Sequence, residues 1–436
     1  MINAPTPHDG VSQARVKRAE RSQIELRFAS LQELIPSDHR VRSVWSFVEG
    51  LDLSPLYREI KAVEGRVGRD AVDPKILLAL WLFATIEGVG SARQLARMCE
   101  RDLAYLWICG GVGVNYHLLS DFRTSHGEFL DQLLTDTIAT LLHREIVTLE
   151  AVAQDGMRVR ANAGSSSFRR KPTLQAYRQQ AAEHVRKLRE ENDDEHHPGS
   201  GNARQKAARE RVARERLERV DQALKDLKEL EQQKEARKKG TAHKARSSTT
   251  DPEARTMKMA NGGFSPAYNV QFATDAKSRM IVSVDVSNNG SDGGQMAPRH
   301  EDIKNRYGRY PERYLVDGGF ATKNDITTLE RRGTQVFAPI LQEEFMRGRG
   351  NDPYARQPRD SDEMFAFRQR MATDEAKEIY KQRSSVAEFP NAECRNRGLH
   401  RFAVRGLSKV RVIALWHALT FNLMRMLTLE CLKPAY

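Results

Sequence analysis

Apolar and polar residues alternate in three different ways along the chain. From 37 to 145 the apolar residues recur at helical spacing, and polar residues able to cap a helix stand before several of these runs. Ser54 and Asp73 each precede a proline, which at the first helical position has no N–H to leave unpaired, and Ser91 and Asn115 each open a further run. The pattern predicts an all-helical N-terminal domain over 37–145.

Two of the predicted helices are short and flank a glycine-rich bend. The segments SARQLARMCERD and NYHLLSDFRTSH lie on either side of GGVGV. Two short helices joined in this way resemble a helix-turn-helix, which binds DNA through its second helix. Small helical bundles have the same punctuation, so DNA binding by this region and simple packing are both open interpretations.

A highly charged stretch over 172–245 follows a different pattern. Its apolar residues recur with alternating spacings of four and three, the heptad of a helix that packs along one stripe. The stripe consists of Ala213, Leu217, Val220, Leu224 and Leu227, and a looser stripe upstream consists of Leu174, Ala181, Val185 and Leu188. Because the polar bend ENDDEHHPGSGN separates them, we predict a coiled-coil-like helical hairpin that serves as a dimerisation arm, a DNA clamp or a solvated spacer.

Short runs typical of β-strands lie on both sides of this hairpin. AVAQDGMRVRANA precedes it, and AYNVQFATD, RMIVSVDVS, RYLVDGG and TQVFAPI follow it. Between these runs, GGQMAPRHEDIKNRYG and KNDITTLERRG have helical character and end at glycine. The order predicts an α+β or α/β fold, a mixed sheet flanked by helices, in a domain over 146–430 that the hairpin interrupts.

The charge of the chain favours a polyanionic partner. Lys and Arg number 70 and Asp and Glu number 58, which gives a net charge of +12. Cationic surface releases counterions from nucleic acid and steers association, although a well-solvated surface explains the charge alone equally well. Residues 1–36 contain no apolar core of a signal peptide, and we expect them to form a basic, largely disordered arm of a cytoplasmic protein.

The cysteine spacing and the hydropathy of the chain argue against a disulfide-stabilised protein, a zinc protein and a membrane protein. The four cysteines have no CxxC spacing, so the sequence indicates neither a disulfide framework nor a zinc site. The most apolar late segment, VRVIALWHALTFNLMRML, is interrupted by Arg411, His417, Asn422 and Arg425. It is therefore predicted to be a buried helix and not a membrane span.

Two aspartates stand where apolar strands end. Asp155 and Asp317 lie at or beside the ends of predicted strands, and a glycine follows each. A charge there is costly to bury unless it is paired or holds a metal, and two carboxylates at neighbouring strand edges suit Mg²⁺ acting on phosphates. The alternative is that each aspartate caps a turn. Asp285 and Asp292 are weaker candidates, because Asp285 can face solvent on its strand and Asp292 can cap the helix after it.

A third carboxylate, Glu388, lies in the most basic part of the chain, EIYKQRSSVAEFPNAECRNRGLHRFAVRGLSKVR. An acid there is either an ion-pair partner or a metal ligand beside a phosphate track. Together with STTDPEARTMKMANGGFSPAYNVQFATD, GSDGGQM and YLVDGGF in the same order, this segment resembles the DDE transposases of bacterial insertion sequences, in the branch whose third motif reads Tyr, Arg, Glu, Lys. The resemblance covers nearly the whole chain.

The resemblance implies an RNase H-like fold in which Asp155, Asp317 and Glu388 gather as catalytic residues and metal ligands. Two Mg²⁺ ions, or Mn²⁺, held by these carboxylates would activate a water to cut DNA and then the freed 3′-hydroxyl to attack target DNA, with Asp155 bridging both ions. One extra residue separates Arg383 from Glu388 compared with the family pattern, and Glu393 is a less favoured claimant for the third ligand.

The same resemblance implies where DNA is held. The predicted DNA-binding residues are Tyr380, Arg383, Arg395, Arg397, Arg401 and Lys409. Arg395 takes the position of the lysine in the family's third motif. The implied partner is double-stranded DNA, at terminal inverted repeats and at the target, bound by a homodimer associated with the nucleoid and not with a membrane. Two alternatives stay open: a catalytically silent DNA-binding protein of transposase ancestry, and a nuclease that cuts without strand transfer.

Overall fold

The computed structural model describes residues 29–62, 70–193 and 203–430. Its first part is helical, as predicted. The helices are α1 (Leu31–Leu34), α2 (Arg40–Glu49), α3 (Ser54–Arg58), α4 (Pro74–Ile86), α5 (Ala92–Arg101), α6 (Leu103–Cys109), α7 (Tyr116–Ser125) and α8 (Gly127–His143). Most of the expected basic arm, residues 1–28, lies outside the described residues.

Side-chain caps start these helices at three of the four predicted positions. Asp73, Ser91 and Asn115 accept hydrogen bonds from backbone N–H groups in the first turns of α4, α5 and α7, at 2.8, 3.3 and 3.0 Å. The prediction for Ser54 is wrong because Ser54 is already inside α3. Its N–H donates to the Asp52 carboxylate at 2.9 Å, and the N-cap position is taken by Leu53, which has no capping side chain.

The helix-turn-helix candidate contains a helix that the sequence pattern did not predict. α6 follows α5 directly because Asp102 accepts a hydrogen bond from the Ala104 N–H at 2.9 Å. It ends at Gly110, whose left-handed backbone (φ 55°, ψ 34°) carries no Cβ penalty. The expectation of two helices joined only by a glycine-rich bend is therefore wrong, and DNA binding by this region stays a prediction.

The sheet has the mixed topology that the sequence predicts. Its strands are β1 (Ala151–Arg160), β4 (Arg255–Lys258), β5 (Phe264–Asp275), β6 (Ile281–Ser287), β7 (Arg313–Leu315) and β8 (Gln335–Phe337); a separate pair is β2 (Phe168–Arg169) with β3 (Ser247–Ser248). The order β6–β5–β1–β7–β8 combines antiparallel pairs on one side of β1 with parallel pairs on the other, and β4 joins the outer edge of β5 beside β6. The predicted RNase H-like mixed sheet flanked by helices is confirmed.

The remaining helices cover the sheet or form the charged insertion. They are α9 (Lys171–Asp193), α10 (Ala203–Arg237), α11 (Met296–Tyr307), α12 (Lys323–Arg331), α13 (Glu343–Gly348), α14 (Asp362–Met371), α15 (Asp374–Asn396) and α16 (Leu407–Thr428). α9 and α10 pack against each other, and β2 pairs with β3 at the base of this hairpin. The predicted stripe residues Ala213, Val220 and Leu227 are buried. The first three residues of the predicted polar bend belong to α9, and the rest of it, 194–202, lies outside the described residues. A coiled coil between two chains stays a prediction.

One apolar core joins the helical region to the sheet. α16 is buried along most of its length, as predicted, and packs against β6 on one side and against α4, α7 and α8 on the other. Trp416 at its centre donates a hydrogen bond to the Arg123 carbonyl in α7 at 3.0 Å. The division into domains near residue 146 stays a prediction, because side chains from both parts belong to this core. Among the described helices, none is long and apolar enough to cross a membrane.

An alternating ring of three aspartates and three arginines links the same elements by charge. In order around this ion-pair ring, the residues are Asp131 of α8, Arg306, Asp302 and Arg299 of α11, Asp285 of β6 and Arg411 of α16. The N···O distances between successive residues, starting from the Asp131–Arg306 pair, are 2.8, 2.8, 3.2, 3.1 and 3.6 Å, and the Arg411–Asp131 distance that closes the ring is 3.0 Å. The expectation that Asp285 faces solvent is therefore wrong, because two arginines hold it. Each charge of the ring has neighbours of opposite sign, so its partial burial is compensated.

Candidate active site

The pairing of β1 with β7 brings two of the predicted catalytic residues side by side. β7 runs parallel to β1, and Ala153 stands opposite Leu315. Asp155 and Asp317 each follow these partners by two residues, so continuing the register sets them next to each other at the end of β7. β7 ends at Leu315, so Asp317 lies two residues beyond the strand. The expectation that Asp155 also stands at a strand end is wrong, because β1 stays paired with β5 as far as Arg160.

Asp155 lies in an environment that opposes its ionisation. Burial is the main cause that raises the pKa of Asp155 to about 6; the charge of Asp317 acts in the same direction, and the Gly156 N–H and the Arg383 guanidinium act in the opposite direction. Its Oδ1 accepts the Gly156 N–H at 2.8 Å, and its Oδ2 accepts a hydrogen bond from the Asn391 Nδ2 at 2.8 Å. A buried carboxylate beside a second carboxylate is the arrangement that a divalent cation relieves.

The third-motif residues lie on α15, which packs against β1. Burial raises the pKa of the Tyr380 hydroxyl, while the charge of Arg383 lowers it and that of Asp317 raises it, so all three side chains share one neighbourhood. The Arg383 Nη2 lies 3.1 Å from the Glu388 Oε1, and the Glu388 side chain is 58% exposed. Glu388 is thus connected to the aspartate pair through Arg383.

The carboxylates present fit a divalent cation in part. Asp155 and Asp317 supply hard oxygen ligands of the type that Mg²⁺ prefers, and their mutual repulsion favours a cation between them. In the described part of the chain, no group of three or more His, Cys, Asp or Glu side chains is arranged to hold a metal ion. Glu393, the less favoured claimant, is bonded to Arg397 at 2.8 Å. The assignment of Asp155, Asp317 and Glu388 as metal ligands stays a prediction.

A buried polar network that the sequence analysis missed supports this site. Asp292 accepts hydrogen bonds from Asn269 at 2.7 Å and Gln271 at 3.0 Å, and its other oxygen lies 2.7 Å from the Arg158 Nη2. A Cβ on Gly156 would stand 2.4 Å from Asp292 Oδ1, so only glycine fits beside it. The signal was two polar residues on one face of the otherwise apolar strand β5.

The expectation that Asp292 caps the following helix is wrong. α11 begins at Met296 with Gln295 as its N-cap, and the side chain that accepts a first-turn N–H, that of Ala297 at 3.3 Å, is Asp325. Asp292 instead uses both carboxylate oxygens for the network beneath Asp155. Both oxygens already accept hydrogen bonds, from Arg158 and from the side-chain amides of β5. Asp292 therefore has few lone pairs left with which to bind a metal.

A groove with cationic walls begins beside Asp155. Its volume is about 830 Å³, and none of its described lining residues is acidic. We call it the basic groove; its charged or ionisable lining residues are Arg158 and Arg160 of β1, Lys258 at the end of β4, Arg395 of α15, and His400. A surface of this sign and shape suits a chain of phosphates.

The predicted DNA-binding residues divide between this groove and other surroundings. Arg395 lines the groove, and Tyr380 and Arg383 lie beside the aspartates. Arg397 is bonded to Glu393, Arg401 is exposed next to the end of β1, and Lys409 is exposed in the first turn of α16. Sequence analysis overlooked Arg158 and Arg160, although alternate arginines after Asp155 indicate one basic face of β1.

Comparison with known proteins returned two family models. A model described as Transposase domain (DUF772) matches residues 29–125, and a model described as Transposase DDE domain matches residues 237–423. The second range contains Asp317 and Glu388, whereas Asp155 lies between the two ranges. Searches among curated proteins and among solved structures found no match.

Proposed function

Because the chain belongs to the DDE transposases of insertion-sequence type, we propose that it uses Asp155, Asp317 and Glu388 to cut DNA at the ends of its element and to join the freed ends to target DNA. The observation that carries this proposal is the β1–β7 register, which, when continued by two residues, sets Asp155 beside Asp317; Gly156, next to Asp155 in β1, lines the basic groove. A carboxylate pair next to a track for phosphates is what in-line phosphoryl transfer on DNA requires.

The proposed cofactor is a pair of Mg²⁺ ions, for which Mn²⁺ can substitute. Asp155, Asp317 and Glu388 would hold them. When bound, such ions activate the attacking oxygen and stabilise the leaving oxygen of an in-line displacement. Because Glu388 is bonded to Arg383 in this structure, its participation requires that the ion pair with Arg383 be exchanged.

The side chains around the pair supply the positioning. The Tyr380 hydroxyl is protonated at neutral pH, where burial only raises its pKa further, so it can donate a hydrogen bond to a phosphate oxygen. Once Glu388 leaves it, Arg383 can turn its guanidinium to the same phosphate, a group that it matches in geometry. Arg160, Lys258 and Arg395 then hold the strand that continues along the basic groove.

The proposed partners follow from this reaction. Double-stranded DNA is bound at the terminal repeats and at the target, and two copies of the chain are needed to hold both ends of one element. The helical region is the proposed reader of the repeats: Arg93 in α5 lies over the Tyr116 ring at the start of α7, beside a groove of about 460 Å³. Since the substrate is chromosomal DNA, we expect the protein in the cytoplasm, on the nucleoid.

The test is Mg²⁺-dependent cleavage and joining of a duplex that carries the element ends. We expect Asp317→Asn to lose both activities while a gel shift shows unchanged DNA binding. Asp374→Asn is the matched control, because this side chain is 97% exposed at the start of α15.

The other outcomes correspond to the alternative functions. Binding without cleavage, equal in wild type and Asp317→Asn, would indicate a catalytically silent DNA-binding protein. Cleavage that depends on Asp317 but never yields joined product would indicate a nuclease without strand transfer.

A further inference from the structure

Asn391 is the side chain of α15 that contacts the first catalytic aspartate. It is 6% exposed, and its Nδ2 donates to the Asp155 Oδ2 at 2.8 Å. Glu388 lies three residues earlier on the same helix, but its carboxylate is bonded to Arg383 and points into solvent. The contact between α15 and the Asp155 carboxylate is therefore made by an amide that has not been assigned any role.

The other half of this amide has no partner. The Asn391 Oδ1 is buried and accepts no hydrogen bond from any described group. A buried amide oxygen without a donor destabilises the fold, and such groups are rare unless a water, an ion or a ligand occupies the neighbouring space. The unpartnered atom belongs to the same planar amide that touches Asp155, so the missing group lies close to the aspartate pair.

The local sequence explains why an amide here can hold β1 and α15 together. Pro390 precedes Asn391 inside α15 and has no N–H, so the helix lacks one of its own hydrogen bonds at this turn. The hydrogen bond from Asn391 to Asp155 joins this weakened turn to β1. An aspartate at this position would oppose Asp155 by charge, and an apolar residue would leave the Asp155 oxygen without its donor.

We propose that Asn391 is a positioning residue for the divalent-cation site: its N–H fixes the Asp155 carboxylate, and its carbonyl oxygen faces the cation or a water bound to it. This inference rests on the proposed function, since it requires a cation held by Asp155 and Asp317. Partners that orient a ligating carboxylate typically contribute 10–100-fold to metal affinity.

The test measures Mn²⁺ binding to the purified full-length protein without DNA, by the electron paramagnetic resonance signal of free Mn²⁺. We expect Asn391→Leu to weaken Mn²⁺ binding by roughly 10–100-fold. The control is Asn396→Leu, at an exposed asparagine on the last turn of the same helix, which should change the affinity less than about twofold. Thermal unfolding without metal shows whether each variant is folded.

A second variant keeps the test decisive if Asn391→Leu does not fold. Asn391→Asp has the same shape but replaces the donor with a charge beside Asp155, so we expect a lower melting temperature without metal and a larger rise on adding Mn²⁺ than in wild type. Unchanged Mn²⁺ affinity in Asn391→Leu, or an unchanged Mn²⁺-induced rise in Asn391→Asp, would overturn the inference.

Asp155→Asn separates this inference from the proposed function. If wild type binds Mn²⁺ and Asp155→Asn does not, the cation site stands and the Asn391 variants decide the role of the amide. If wild type shows no Asp155-dependent Mn²⁺ binding, the proposed cation site fails and this inference fails with it. An equal loss of affinity in Asn396→Leu would assign the effect to the helix as a whole and would also overturn the inference.

Discussion

The ion-pair ring and the aspartate pair are both clusters of carboxylates beside the sheet, but they are compensated in opposite ways. Every carboxylate of the ring lies between two arginines, and Arg306 holds Asp131 through both of its oxygens, at 2.8 and 3.0 Å. Asp155 and Asp317 instead lie next to each other, with backbone N–H groups and one amide as their close donors. Arg383, whose charge acts on Asp155, is bonded to Glu388.

This difference suggests that the carboxylates of the ion-pair ring stabilise the fold, whereas Asp155 and Asp317 are available to bind a ligand. Burial alone would raise the pKa of Asp302, but the hydrogen bonds and charge of Arg306 lower it overall. Burial likewise raises the pKa of Asp155, and there the added charge of Asp317 reinforces the effect. A carboxylate that the fold leaves undercompensated costs stability, and this cost is reversed only when a cation binds.

The largest expected effect is on activity, at the aspartate pair. Asp155→Asn should lower DNA cleavage by about 1000-fold, equivalent to about 4 kcal/mol, because a neutral amide cannot replace a carboxylate that holds the cation. The same variant should unfold at a higher temperature than wild type in the presence of a chelator, since a buried charge beside Asp317 has been removed. A variant that loses activity and also stability would show that Asp155 is compensated like the ring residues.

The second effect is on stability, at the ion-pair ring. Asp302→Asn should lower the free energy of unfolding by about 3 kcal/mol, because Arg299 and Arg306 would each lose a half-buried partner. Urea denaturation measures this change, and Asp362→Asn is the control, at a side chain that is 90% exposed in its pair with Arg356. Equal and small losses in both variants would mean that the ring contributes no more than a surface pair.

The third effect is a pH dependence of opposite sign in the two clusters. The pKa of Asp155 is raised from 3.8 to about 6, so its contribution to stability is fully present below about 3.8 and is lost as pH rises through about 6. The pKa of Asp302 is lowered from 3.8, so its contribution is present above 3.8 and is lost as pH falls through the lower value.

Urea denaturation at a series of pH values, with a chelator present, measures both contributions. The difference between wild type and Asp155→Asn should change by on the order of 2 kcal/mol between about pH 4 and pH 7. The difference between wild type and Asp302→Asn should change below about pH 4 instead. The same pH window for both residues would contradict the comparison.

The sequence was sufficient for those features that depend on local pattern. Strand periodicity predicts the sheet, because a strand's apolar face is encoded in neighbouring residues. The glycine after Asp155 was misleading, since β1 continues past Asp155 to Arg160 instead of ending there. The choice of Glu388 as the third carboxylate rests on the order of motifs and stays a prediction, and the ion pair between Arg383 and Glu388 depends on side-chain geometry that no spacing specifies.

Features built from distant residues could not be predicted in the same way. The ion-pair ring draws on residues from 131 to 411, and the interpretation of Asp285 failed because its arginine partners lie on other elements. Asn391 was overlooked because an asparagine inside a basic helix carries no signal until its contact with Asp155 is known. Arg158 and Arg160 of β1 could not be predicted as phosphate-binding residues, because the basic groove forms only when β4 and α15 supply its other walls.

The smallest expected effect is on DNA affinity, and it extends the comparison from carboxylates to arginines. Arg160 lines the basic groove and is exposed, so it is available to a phosphate, whereas Arg331 is bonded to Glu363 at 2.8 Å on a surface away from the groove. Arg160→Ala should make the plot of log affinity against log salt concentration shallower by about 1, while Arg331→Ala should leave the slope unchanged. Fluorescence anisotropy with a labelled duplex at several salt concentrations measures both slopes. If Arg331→Ala changed the slope as much as Arg160→Ala, the groove would hold no privileged phosphate contact, and DNA binding would be a property of the basic surface as a whole.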